Sequence, residues 1–189
     1  ASENIVNQYD EYLETSDRKK SENIIGGLFK LKYKSHIVFF DIGGPPKKKF
    51  SKCYQSGPLS FEYFVDGEKV ISNSGFGDNI STKAELLSRL TACQTTLTLN
   101  DTSITKFERN KLINKIFGNS IKNTFKTYDV NVYENNNLVG CSASHNGYEK
   151  SFGCVHKREI SFYKEYGYLK GVDYIFKKKD GIPIRYVFR

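Results

Sequence analysis

At 189 residues the chain can bury one sizeable core but is short for two domains. A hydrophobic content of 38% excludes a disordered polymer, and 13 Tyr with 14 Phe and no Trp lean the chain towards pleated sheet. The formal net charge of +8 points to a polyanionic partner: nucleic acid, an anionic membrane surface or an acidic polysaccharide. No apolar run approaches the ~20 residues of a membrane span, and no signal peptide is recognisable.

In chain order, Ile5, Val6, Tyr9, Tyr12 and Leu13 recur at helical spacing within residues 4–14, and a polar stretch follows to Asn23. This reads as a short helix and linker, the tail of an upstream helical domain over residues 1–26. From Gly26-Gly27 the period becomes two: Phe29, Leu31 and Tyr33 alternate with Lys30, Lys32 and Lys34. His36–Asp41 is a more continuous apolar strand, ended by Gly43-Gly44-Pro45-Pro46. Strands over 59–65 and 69–72 flank the hairpin dipeptide Asp66-Gly67. Thr82-Lys83-Ala84-Glu85 has the form of a capping box ahead of Leu86, Leu87 and Leu90. Thr96–Leu99 alternates, and Phe107, Leu112, Ile116 and Phe117 fit a loop with a short helix. Strands over 129–133, 138–144, 155–162, 168–176 and 182–188 complete the set.

Repeated strands with turn signals and no βαβ rhythm imply an all-β fold, an antiparallel β-sandwich with one or two short helices. Its expected core includes Phe61, Val65, Leu97, Leu99 and Ile160. The domain is expected to fill residues 27–189 as a fragment truncated at its C-terminus, because Ala1 stands where Met would and the chain stops in the apolar run Tyr186-Val187-Phe188.

Chemistry-bearing residues are few. Cys53, Cys93, Cys141 and Cys154 contain no C-x-x-C pair and read as free, mostly buried thiols. The dense basic runs, Lys47-Lys48-Lys49 and Lys177-Lys178-Lys179, sit beside turn residues as solvated tips. That argues against a nucleic-acid binder, which would set its cations along an aromatic-lined strand face. The three histidines, His36, His145 and His156, have no metal-ligand spacing. His36 belongs to a hairpin tip and His156 shares a strand face with Arg158. His145 lies at a strand end, where either a structural or a functional role is open.

Six segments in order resemble the C-terminal β-domain of heparinase II/III-like polysaccharide lyases. They are Phe39-Phe40-Asp41-Ile42-Gly43; Leu59-Ser60-Phe61-Glu62 with Asp66-Gly67 and Ile71-Ser72-Asn73-Ser74-Gly75; Arg89-Leu90-Thr91-Ala92-Cys93-Gln94-Thr95-Thr96-Leu97; Ser144-His145-Asn146-Gly147-Tyr148; Phe152-Gly153-Cys154-Val155-His156-Lys157-Arg158; and Gly171-Val172-Asp173. The resemblance implies a supersandwich-like β-domain attached to an upstream α/α toroid. The toroid supplies the Tyr acid/base and the carboxylate-neutralising residue for β-elimination beside a uronic acid. The β-domain of the family supplies a His-x-His element, and in some members zinc is held by the second His, an Asp and a later His.

At these places the present chain has Cys53 and Gln55, Asn73 and Gln94. Amides are neither general bases nor good zinc ligands, so a degenerate metal site at Gln55, Asn73 and Gln94, with no cofactor, is expected. Gln55, Arg89, His145 and Arg158 are candidate substrate contacts, and for Arg89 two roles stand open, a bidentate grip on a sugar carboxylate or a cap on the Thr82–Leu90 turn. The implied partners are an acidic polysaccharide and the upstream toroid, with no nucleic acid and no membrane span. For the parent chain the resemblance favours the periplasm or cell envelope. Two functions remain open: the β-domain of an active uronate-polysaccharide lyase, or a non-catalytic carbohydrate- or envelope-binding module.

Overall fold

In the computed structural model, residues 23–178 and 185–188 are described. The helix expected over residues 4–14 and the Asp180-Gly181 turn lie outside them. Two antiparallel sheets and a two-stranded ribbon make up the fold. The first sheet runs, in spatial order, β1 (Ile24–Ile25), β2 (Leu28–Tyr33), β3 (His36–Asp41), β4 (Phe61–Val65) and β5 (Glu68–Ile71). The second is a meander of β7 (Thr127–Glu134), β8 (Leu138–His145), β9 (Cys154–Tyr163) and β10 (Tyr168–Lys177). The ribbon pairs β6 (Leu97–Leu99) with β11 (Tyr186–Phe188).

Period-two alternation decides what each sheet buries. Phe29, Leu31, Val38, Phe40 and Phe61 from the first sheet meet Val139, Cys141, Ala143, Ile160 and Phe162 from the second in one cluster. This is face-to-face sandwich packing, and each large side chain withdrawn from water contributes about 2 kcal/mol. Truncating the fully buried Phe40 to Ala would cost roughly 3–5 kcal/mol. A smaller cluster of Leu97, Leu99, Ile104, Phe125, Tyr148 and Cys154 lies beneath the ribbon.

Asp66 and Gly67 both take positive φ (52° and 84°), the geometry a tight hairpin with right-twisted strands needs. Four sequence expectations shift. Val65 is half-buried rather than core, because it sits at the hairpin end of β4. The helix α1 (Thr82–Ser88) is capped by Ser81, whose hydroxyl accepts from Ala84 N, so Thr82 is already inside the helix. Cys141 and Cys154 are buried, whereas Cys53 is exposed and Cys93 half-buried, all as free thiols. Four elements were not anticipated: the short β1, 3-10 turns at Lys48–Phe50 and Thr91–Cys93, and a one-turn helix between β8 and β9. In chain order the helices are therefore α1, α2 (Lys111–Phe117) and α3 (Glu149–Phe152).

Candidate functional site

The loops leaving β3, β5 and α1 converge at one end of the first sheet. They enclose a cleft of about 440 Å³ whose wall includes Asp41, Tyr54, Gln55, Glu62, Asn73 and Gln94. Three segments remote in sequence meet there because the 89–96 stretch packs back across the hairpin. Ser56 N donates to Arg89 O (2.9 Å), the Ser56 and Thr91 hydroxyls meet at 3.0 Å, and Ser74 N donates to Cys93 O (3.1 Å).

The amides are oriented by backbone groups. Gln94, only 3% exposed, donates through Nε2 to Ser88 O (2.8 Å) and to Gln55 Oε1 (3.3 Å). Two acceptors on one atom identify it as the nitrogen, which fixes the flip of Gln94 and, in turn, of Gln55. Asn73 Oδ1 accepts from Thr95 N (2.8 Å), which fixes Asn73, while the single Thr95 hydroxyl proton faces the closer Phe61 O, with Asn73 Oδ1 at 3.0 Å. Gln55 Nε2 and Asn73 Nδ2 as donors, and Gln94 Oε1 as an acceptor, are thus left without a partner among the described residues. The cleft presents fixed donors and an acceptor of neutral type.

Among the described residues no Lys or Arg lines it, but two carboxylates do. Burial pushes the Asp41 carboxyl up to about 6, against the lowering effect of its hydrogen bond from Gly43 N. Glu62 accepts from Asn73 N (3.2 Å). Burial, and then the Asp41 charge, raise the Tyr54 hydroxyl far above its ordinary value, and that oxygen is buried without a partner.

Zinc does not fit this donor set. The Asn73 oxygen is engaged by Thr95 N, Gln94 turns its nitrogen to carbonyl acceptors, and neutral amides are poor zinc ligands.

The remaining sequence candidates lie elsewhere. Arg89 is fully buried, donating from Nε to Tyr54 O and from Nη2 to Ser51 O (both 2.9 Å), with its guanidinium 4.2 Å from the Phe107 ring centre. It clasps the loop that carries Gln55 and cannot reach a sugar carboxylate. This corrects the expectation of a surface grip, because the helix end turns Arg89 inward beneath the loop. His145 and Arg158 are also buried, at 0% and 1% exposure, and are not surface contacts.

Those two belong to a polar layer inside the sandwich. Gly147 N donates to His145 Nδ1 (3.0 Å), so the His145 proton is on Nε2, 3.0 Å from His156 Nδ1. His156 Nε2 then donates to Asp173 Oδ1 (2.6 Å). Burial lowers both imidazoles, most strongly His145, where the His156 and Arg158 charges add to it. Burial pushes Asp173 up, but hydrogen bonds from His156 and Arg158 overcome this and hold the carboxyl well below the usual range. Arg158 grips Asp173 through Nε (2.7 Å) and Nη2 (2.9 Å), and its Nη1 donates to Leu59 O (2.6 Å) and Thr95 O (2.7 Å). Leu59 holds a positive φ of 59°, costly for a branched residue and restrained by that grip. Arg158 therefore holds from behind the segment whose other side carries Gln94 and meets Asn73.

Sequence reasoning assigned no role to Asp41, Glu62 or Asp173. Each stood within a segment quoted for the resemblance, and that was the only signal.

Fold and site together define an antiparallel β-sandwich domain with an amide-lined cleft at its loop end. Residues 24–188 match the family described as heparinase II/III-like, C-terminal, and the chain belongs to that family. No curated protein and no solved structure matches the chain significantly.

Proposed function

We propose that this domain serves a polysaccharide lyase acting by β-elimination on a uronic-acid-containing chain, and that its cleft holds sugar hydroxyls without carrying out the chemistry. The observation that carries the reading is the orientation of Gln55, Asn73 and Gln94. Backbone groups orient Gln94 and Asn73, and Gln94 in turn orients Gln55, leaving two neutral donors and one acceptor on residues that line one cleft, where family members carry His and Asp. Such groups match hydroxyls and exchange no proton near neutral pH. The acid/base Tyr and the carboxylate neutraliser are assigned to an upstream toroid. Leu112 and Ile116, one turn apart on α2 and 78% and 75% exposed, support an apolar contact with such a partner. No helix among the described residues is long and apolar enough to cross a membrane.

The absence of an imidazole from the cleft equally favours the second reading, a module that binds carbohydrate in a parent that has lost catalysis. The two separate on one experiment. The isolated chain, mixed with polyuronate, is expected to bind it without generating the ultraviolet absorbance of an unsaturated uronate. Absorbance produced by the isolated chain overturns both readings. Absorbance produced by the chain joined to its upstream domain, and lost with that domain's Tyr, selects the lyase.

A further inference from the structure

The outer face of the first sheet runs directly into the cleft. Strand alternation turns Lys30 and Lys32 on β2, Phe39 on β3, Phe64 on β4 and Lys69 on β5 away from the core. Phe39 also lines the cleft. The Phe39 and Phe64 rings meet edge to face at 6.0 Å, with Lys30 Nζ 5.9 Å from the centre of the first and Lys69 Nζ 5.5 Å from the centre of the second. All three lysines are exposed, and none makes an ion pair among the described residues. On the second sheet Lys157 is held by Glu159 and Lys164 by Glu134, both at 2.7 Å, while Lys170 on β10 is exposed without an ion pair among the described residues. Lys30, Lys32 and Lys69 thus share one face with the Phe39 and Phe64 rings, and the one β4 carboxylate on that face, Glu62, lies opposite Phe39 at the edge of the cleft.

We propose that the outer face of β2–β5 is a binding track for an anionic polysaccharide. Phe39 and Phe64 lie against the apolar faces of sugar rings, and Lys30, Lys32 and Lys69 pair with carboxylates along the chain. Four strands span about 15 Å, room for several linked sugars. The division of labour follows from charge: the track takes the carboxylates, and the acidic, amide-lined cleft takes hydroxyls at the end of the run. This second half rests on the reading of the cleft given above; the track itself does not.

The test is calorimetric titration of the full 189-residue chain with a polyuronate hexasaccharide, a neutral hexasaccharide of β-linked glucose, and a thymidine hexanucleotide. The hexauronate is expected to bind most tightly, with affinity falling as salt is added. The K30Q/K32Q/K69Q variant is expected to weaken it about tenfold, while K47Q/K48Q/K49Q, with the same loss of charge, changes it less than about twofold. Far-ultraviolet dichroism and melting confirm that both variants fold. Absence of binding, equal binding of the neutral sugar or the oligonucleotide, or equal weakening by the two triple variants overturns the track. Gln55→Ala distinguishes the cleft: no effect of Q55A beside a clear effect of the lysine variant sinks the reading of the cleft and leaves the track standing. The reverse pattern sinks the track alone.

Discussion

His145 Nε2 lies 3.0 Å from His156 Nδ1, and the two rings meet edge to face because their residues are direct partners on β8 and β9. The hydrogen bonds from Gly147 N through both rings to Asp173 run in one direction, which requires both histidines to be neutral with the proton on Nε2. Burial depresses both in the folded state, whereas the unfolded chain takes up protons near pH 6.5. Stability is therefore expected to be full above about pH 6.5 and to fall as pH drops below it. Asp173, depressed in the fold, adds a second loss as pH drops below about 4. Urea denaturation at a series of pH values measures the trend, and nitrogen-15 shifts of the imidazoles report the tautomers. A cationic His145 at pH 6 contradicts the scheme.

Asp41 has the opposite sign. Its folded carboxyl keeps a proton up to about 6, so ionising it costs stability as pH rises from about 4 through 6. Asp41→Asn keeps an oxygen for Gly43 N and removes that cost. The variant is expected to be more stable than the parent at pH 7, by at most about 3 kcal/mol, and indistinguishable at pH 3.5. Paired thermal melts at the two values decide.

Arg158→Met would leave the Asp173 carboxylate, 26% exposed, without its guanidinium and strand the buried Leu59 and Thr95 carbonyls without their donor. A loss of about 3 kcal/mol is expected. Arg158→Lys should recover little, since one ammonium cannot replace the fork. Adding Asp173→Asn to Arg158→Met should restore part of the loss, and a denaturation double-mutant cycle gives the coupling.

A Cβ on Gly57 would stand 2.9 Å from Gln94 Cγ, whereas one on Gly44 would meet nothing within 4 Å. Gly57→Ala is expected to displace Gln94, weaken oligosaccharide binding and cost about 1–3 kcal/mol, while Gly44→Ala leaves binding intact. Titration of both variants, alongside melting curves, checks this.

Purified wild-type chain is expected to carry no stoichiometric zinc that resists mild chelation. The Q55H/N73D/Q94H variant, with imidazole and carboxylate in place of three amides, is expected to gain it. Elemental analysis after dialysis reads both results.

Alternation over Phe29–Tyr33 and the Asp66-Gly67 dipeptide announced their strands and hairpin, because a period of two and a positive-φ turn are local properties of the chain. The three amides were likewise legible as one constellation, though only through the resemblance, since 39 positions separate Gln55 from Gln94. Arg89, His145 and Arg158 were not legible. An arginine pattern reads the same whether the side chain faces a ligand or a row of backbone carbonyls, and here Ser51, Tyr54, Leu59 and Thr95 supply those carbonyls from distant loops. Composition establishes an excess of positive charge whose densest runs read as solvated tips; the folded sheet nonetheless forms the aromatic-lined cationic strand face whose lack argued against nucleic acid, so the hexanucleotide titration decides that point. Pairing of β2 through β5 is what sets Lys30, Lys32 and Lys69 on one face, while on the other sheet Glu159, two positions along the same strand, holds Lys157, and Glu134 on β7 holds Lys164. Local pattern sets which face of a strand is wet, because side chains alternate; which charges share that face depends on strand order and register, which exist only once the sheets have formed.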